Sequence, residues 1–440
     1  MKQYIDFFNS EKQKIDEACS PLLNSFREKA FDTFRHTGFP AYKSENYRYT
    51  DVAGLLKDDL GFYLNLWNPG INPHKVFFCN VPNLNAYKYF VVNGHFFRES
   101  EKDLPGGVYL GSINIFAERY PDLFSRYFNQ QASRSGDGLA AFNTMFVQDG
   151  YVMYVPENVV LEKPVQLTNI SQGKVDSLIN RRILVVLERG AQAKLLICDH
   201  TNDDKAMSAA TQVMEVYAGE NSSFDCYELE ESTGNTVRLT NNFVLQEASS
   251  SVVLNNITLS NGFTRNNYQI DLTGKRAETS LQGLAIADAQ QTVDNFTFIN
   301  HQATDCRSSE LFKYLLDDEA TGVFNGKIVV LPDAQKTEAY QSNRNLLGNR
   351  RCRMYSQPKL EINANDVKCS HGMTTGQLDE AALFYMRSRG IPYDEAVLML
   401  KFAFTGDVLK GIRLEGLRDR LKSLIEKRLR GELIKCQECF

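Results

Sequence analysis

Among nine cysteines and six histidines, Cys369 and His371 stand two residues apart in the string LEINANDVKCSHG. If that string is a strand, side chains at i and i+2 face the same way, so the thiol and the imidazole share one surface. An ordinary thiol, titrating near pH 8.5, is only a few per cent ionised at neutrality, whereas an imidazole titrating near 6.5 is mostly free to donate a lone pair. Iron would favour the thiolate by displacing its proton. An iron–sulfur cluster normally takes about four protein ligands, so two side chains from one strand leave it incomplete. The remainder has to come from elsewhere in this chain or from a second subunit. A small cysteine is also common core filler, and the pair by itself leaves that reading open.

The other candidate residues point to less. Cys436 and Cys439 form a C-x-x-C close to the end of the sequence, but structural zinc would need two further ligands beside them. Cys198 and Cys226 lie 28 residues apart and either stack on one another or simply pack. Cys19, Cys79, Cys306 and Cys352 have no spacing that argues for a reaction, and His301 in DNFTFINH can satisfy a turn. The nearest approaches to a phosphate-cradling loop, GVFNGKI and LTGKRAE, lack its spacing and its hydroxyl, so ATP hydrolysis by this chain is not expected. H-E-x-x-H, G-x-S-x-G and G-x-G-x-x-G are absent as well. These parts suit a non-catalytic subunit better than a conventional enzyme.

The elements that must position the pair are mostly strands. From about residue 151 the sequence turns to short β-rich runs such as RRILVVLE, TQVMEVY, SVVLNNITL and FTFIN, separated by Gly, Asn, Ser and Asp. The phrases beginning at Ala191, Glu220, Ala248, Ala277 and Ala320 look like one turn-plus-strand unit, with steps of 29, 28, 29 and 43 residues. Three steps share a period and the fourth reads as a coil with an insertion. A period in the twenties suits a solenoid with one coil per repeat, in which each strand buries its inner face and small residues sit at the corners. A β-sandwich is the alternative, but its hairpins would recur at roughly 8–12 residues. The regular period favours the parallel solenoid.

Helical rhythm flanks that region. Phe7, Phe8, Ile15, Leu22, Leu23, Phe26, Ala30 and Phe34 fit one or two helices broken near Pro21. Residues 38–50, GFPAYKSENYRYT, read as a loop whose aromatics dock onto something, and KVFFCNV and YKYFVVNGHFF read as strands. After Thr375, QLDEAALFYMRSRG has early acids, late bases and a Gly-Pro stop. YDEAVLMLKFAF reads as a buried helix, and the last helix places Leu417, Leu421, Leu424, Ile425 and Leu429 on one stripe. The division expected is a mixed N-terminal region over 1–140, a β core over 141–375 and a helical region over 376–440. Nine basic and four acidic side chains between residues 409 and 435 make either a solvated face or a docking surface for an acidic partner.

Composition bounds the function. A length of 440 residues, 43% hydrophobic and 23% charged, is globular, and a net charge of -5 gives no basic field for nucleic acid. No apolar run approaches the roughly 20 residues of a membrane helix, and the opening residues carry no secretory signal, so a reducing cytoplasmic compartment is expected.

Residues 322–390, with GVFNGKI, AQKTEAYQSNRNLL and SQPKLEINANDVKCSHGMTTGQLDEAALFYMRSRGI, closely resemble the SufB/SufD family of iron–sulfur cluster assembly scaffolds, on its SufD side. Gly38, Pro40, Lys43, Glu45, Tyr49 and Thr50 match the family's N-terminal motif. Met373, where the family usually has Ala, and Gly348, within a usual Leu run, are departures that bear on local packing. The resemblance implies a right-handed parallel β-helix between helical terminal regions. It implies pairing with SufB through the end of the β-helix and binding of the ATPase SufC by the C-terminal helices. It also places His371 at the SufB interface, in iron acquisition and nascent cluster assembly. Cys369 aligns with the paralogue's assembly cysteine. No stably bound cofactor is expected, only transient iron or a cluster shared with SufB. A SufB-like member that builds clusters itself and, more remotely, a β-helix polysaccharide lyase are the alternatives. An isolated chain is expected to dimerise through the surface meant for SufB.

Overall fold

The computed structural model describes residues 1–58, 60, 73, 81, 84–97, 103–172, 175–201 and 205–432. Cys79, Cys436 and Cys439, with most of KVFFCNV, lie outside the described residues. The chain forms a β-solenoid of about eight turns. Its strands are β1 (Tyr87–Val92), β2 (His95–Phe96), β3 (Tyr109–Ser112), β4 (Tyr151–Val155), β5 (Val165–Ser171), β6 (Ser177–Leu187), β7 (Gln192–Thr201), β8 (Ser208–Ala218), β9 (Ser223–Glu231) and β10 (Thr236–Gln246). They continue as β11 (Ser251–Ser260), β12 (Phe263–Leu272), β13 (Glu278–Ala287), β14 (Thr292–His301), β15 (Arg307–Leu316), β16 (Thr321–Val330), β17 (Glu338–Leu347), β18 (Arg353–Ile362) and β19 (Lys368–Gly376). From β4 onward each coil contributes one strand to each of two sheets, so every strand pairs in parallel with the strand two places along. The even strands β4 to β18 form one sheet with β3 at its end, and the odd strands β5 to β19 form the other with β1 and β2 at its end.

This pairing explains the repeat and corrects one step of it. Ala191, Glu220, Ala248 and Ala277 all precede strands of the odd sheet, but Ala320 precedes β16 of the even sheet. The long last step is therefore a full coil plus a crossing to the opposite sheet, not an insertion. Small residues do fill the corners: Ala191, Ala277, Cys306, Ala320 and Ala334 are fully buried. Two residues ahead of successive odd strands, Gly190, Asn221, Ser249, Arg276, Asp305 and Lys336 all take positive φ, so each coil turns through a left-handed corner.

Both outer faces are covered, which is why many strands are buried on both sides; β6 is buried along its whole length. The N-terminal helices α1 (Lys2–Glu17), α2 (Arg27–Thr37) and α3 (Gly138–Phe146) build an aromatic core from Phe8, Phe31, Phe34, Phe142 and Phe146. That core lies on Leu178, Ala209, Val237 and Leu239 of the even sheet. Asp137 caps α3 by accepting from the Ala140 amide at 2.9 Å. On the odd sheet lie α4 (Glu380–Ser388), α5 (Tyr393–Lys410) and α6 (Glu415–Leu429). Val408, Leu409, Leu417, Leu421, Leu424 and Ile425 pack there on Cys198, Tyr227, Leu229, Ile257, Leu284 and Leu315. α5 is buried only in part: Ala396, Thr405, Val408 and Leu409 are buried while Met399 is exposed. Among the described residues, no helix is long and apolar enough to cross a membrane.

Candidate functional site

Cys369 and His371 belong to β19, the last strand of the odd sheet. β19 pairs in parallel with β17, matching Ala339 to Cys369 and Gln341 to His371, and among the described residues no strand lies on its far side. Along β17, Ala339, Gln341, Asn343 and Asn345 are buried while Tyr340 and Arg344 are exposed, so the odd-numbered residues face the solenoid interior. In-register parallel neighbours share a face. Cys369, His371, Met373 and Thr375 therefore continue the interior row onto a coil that no described residue covers.

The consequence is a thiol and an imidazole side by side at the mouth of the stack. Every residue of β19 is exposed except Cys369, which is half-buried against the core. Burial pushes the Cys369 thiol above its ordinary range, partly countered by the Ala339 backbone amide. Among the described residues, no three His, Cys, Asp or Glu side chains converge closely enough to hold a metal ion. Within those residues the pair offers two donors facing outward.

Polar side chains line the interior just beneath. Ser356 donates to Asn343 Oδ1 at 2.7 Å, and the Asn345 amide donates to Asn343 Oδ1 at 2.7 Å and to Thr375 Oγ1 at 3.1 Å. Under His371 the column runs through Gln341 to Glu310 of β15, with Gln341 Nε2 donating to Glu310 Oε2 at 2.6 Å. Burial pushes the Glu310 carboxyl up to about 7, against hydrogen bonds from Thr297 and Gln341. Deeper in the stack, Arg238 reaches Asp199 at 2.5 Å and Glu228 at 2.7 Å, and Arg181 reaches Asp199 at 2.9 Å. These ionic groups are sealed inside the solenoid.

The loop over residues 38–50 docks onto the outer face of the even sheet. Thr50 hydrogen-bonds Asp294, which also pairs with Arg265. Arg265 donates to the Asn46 carbonyl at 2.7 Å and lies 4.0 Å over the Tyr47 ring. Glu45 then bonds Lys359 of β18 at 2.7 Å, and Tyr49 stacks on Tyr355 of β18 at 4.1 Å. The segment is a strap that ties the N-terminal helices to the final coils.

The remaining candidates take no part. Cys198 faces the C-terminal helices and Cys226 faces the interior; in register Cys198 opposes Leu229, so the two cysteines do not stack. Cys306 and Cys352 are buried. Cys19 contacts Arg27 at 3.1 Å, and burial pushes its thiol up to about 11. His301 ends β14 inside the stack at 2.8 Å from Ser308 Oγ. Sequence reasoning missed Gln341, Glu310, Arg265, Asp294 and Lys359. Only Glu310 left a signal, as the one acid on the alternating inward row of SSELFKYLL.

Comparison with known proteins adds a family to this geometry. The SUF system FeS cluster assembly, SufBD core domain matches residues 169–404, and the SufBD protein N-terminal region matches residues 1–167. An iron–sulfur cluster assembly SufBD family protein of Synechocystis is 26% identical, with 95% of this chain and 94% of the relative covered. The iron–sulfur cluster assembly protein SufD of Escherichia coli is 27% identical over 90% of each chain. That of Bacillus subtilis is 25% identical over 74% of each.

Proposed function

Taking as premise that this chain belongs to the SufBD family of iron–sulfur cluster assembly proteins, we propose that it is a SufD-type scaffold subunit whose bare solenoid end pairs with SufB. His371, with Cys369 beside it, supplies part of the coordination sphere for iron or a nascent cluster, and the partner supplies the rest. The cargo passes through the site and is not a resident cofactor. The observation that supports this reading is the position of the pair: an exposed imidazole and a half-buried thiol on a strand whose outer edge has no neighbour among the described residues.

The C-terminal helices would hold the ATPase SufC. Phe384 and Tyr385 of α4, with Tyr393 and Met399 of α5, leave a large apolar surface in solvent, as a partner site requires. The same helices are fixed to the coils next to the mouth. Lys313 of β15 donates to the Phe404 carbonyl at 2.7 Å and pairs with Asp407 at 2.8 Å, and Lys401 pairs with Asp317. A displacement of α5 is therefore felt by β15, two strands from β19.

Co-expression with SufB and SufC is expected to give a co-eluting complex. Replacing His371 by Ala in that complex is expected to lower iron content and cluster yield while leaving the complex intact. Unaltered iron uptake would defeat the site. The isolated chain, with its open edge, is expected to dimerise in light scattering at high concentration.

A further inference from the structure

Gln341 is the residue directly beneath His371 in the interior row, and it is 3% exposed. Its amide is fixed on two sides. Nε2 donates to Glu310 Oε2 at 2.6 Å in the coil below. Beside it, Gly326 of β16 leaves the room it occupies, since a Cβ at Gly326 would overlap Gln341 Nε2 and approach the Phe324 ring. One amide N–H is thus committed to Glu310, and the oxygen is the amide's acceptor. Gln341 Oε1 is fully buried and has no hydrogen-bond partner among the described residues. A buried acceptor left unpaired costs about 1–3 kcal/mol, and the in-register neighbour of Gln341 on the open side is His371. The next rung is an imidazole, which carries one N–H to donate and one lone pair to offer when neutral.

We propose that Gln341 is a positioning residue for His371: on rotation of the exposed ring, its unpaired Oε1 accepts the ring N–H, which selects one tautomer and turns the opposite nitrogen outward to the cargo. This rests on the reading of His371 as a donor to iron or a nascent cluster. Glu310 and Gly326 act one step back, by holding the amide nitrogen in the coil below. Outer partners of metal-binding histidines commonly fix ring orientation in this way, and their loss typically weakens metal binding about 10–100-fold.

The test uses the full-length chain with 15N-labelled histidine. Long-range nitrogen–proton correlation reads the His371 tautomer, and anaerobic titration with ferrous iron alone reads affinity. In the parent protein one tautomer is expected to dominate. Gln341→Met keeps the volume and removes the acceptor; it is expected to mix the tautomers and to weaken ferrous binding about 10–100-fold with an unchanged thermal midpoint. Gln341→Glu, which still offers an oxygen, is expected to keep the parent tautomer, and Gly326→Ala is expected to imitate Gln341→Met with Gln341 intact. If Gln341→Met lowers the thermal midpoint, the Gln341→Glu and Gly326→Ala pair decides. An unchanged tautomer ratio in Gln341→Met or Gly326→Ala overturns the inference. If His371→Ala leaves ferrous binding intact, the donor reading itself fails, whatever the tautomers show.

Discussion

At one end of the stack, β2 and β3 turn antiparallel against β1 and β4, and the interior there is apolar, with Val165, Leu167, Ile183, Val185, Leu195 and Ile197 fully enclosed. At the other end, β18 and β19 pair on one side only among the described residues, and the interior rows hold Gln341, Asn343, Asn345, Ser356 and Thr375. Hydrocarbon exposed at a bare end would cost stability and invite indiscriminate association, whereas amides and hydroxyls tolerate water. Ionic groups do occur deeper in the covered interior, but there they are sealed and paired, as Arg238, Asp199 and Glu228 are, whereas the amides and hydroxyls at the open end lie beside the exposed donor pair.

Substitutions should separate these regions. The largest effect is expected inside: Arg238→Met leaves Asp199, Glu228 and Glu230 buried around a missing cation, and should cost about 3–5 kcal/mol in urea unfolding. Met373→Lys at the mouth should cost within about 0.5 kcal/mol. Equal losses at the two positions would break the contrast. Glu310, just below the mouth, sharpens it through pH. Its folded value, raised from 4.5 to about 7, means that its stabilising contribution is complete below the unfolded value and is lost as pH rises through 7. Glu310→Gln should therefore gain up to about 3 kcal/mol over the parent at pH 8 and nothing at pH 4. His301, held down to about 4 by burial, has the opposite sign, and its contribution is lost as pH falls from 6.5 through 4. The two contributions oppose over overlapping windows, so each is read from its own variant: a Glu310→Gln gain that is the same at pH 4 and pH 8 would contradict the raised Glu310 value. The smallest effect is a rate: Cys369 should be alkylated before Cys19 in peptide mapping, since it is the more accessible thiol, and more slowly than a free cysteine.

Much of this was legible in the sequence for identifiable reasons. The coil period shows in strings such as ERG-AQAKL and VYAG-ENSSF because every corner packs a small side chain. Cys369 and His371 were visible because two residues along a strand always share a face. Ala320 misled because a corner looks the same in either sheet, and only pairing tells which sheet it begins. The left-handed corners were hidden because stacking imposes the conformation on Asn, Ser, Arg, Asp and Lys alike, so no single residue type marks it. Gln341 and Glu310 could be recognised as neighbours of His371 only once the register aligned strands about 30 residues apart. The strap could be read as aromatic and dockable, but its partners Arg265, Asp294 and Lys359 are more than 200 residues away.

That span has a consequence for synthesis. Glu45 and Tyr49 leave the ribosome early, while Lys359 and Tyr355 of β18 are separated from them by more than 300 residues. At about 5–20 residues per second, translation takes roughly 15–60 s to supply the other half of the contact. The strap docks in stages, Asn46 and Thr50 first on Arg265 and Asp294, then Glu45 and Tyr49 on β18. Arrested chains cut ahead of residue 263 should be cleaved by protease within residues 38–50, and chains extended past β18 should be protected there.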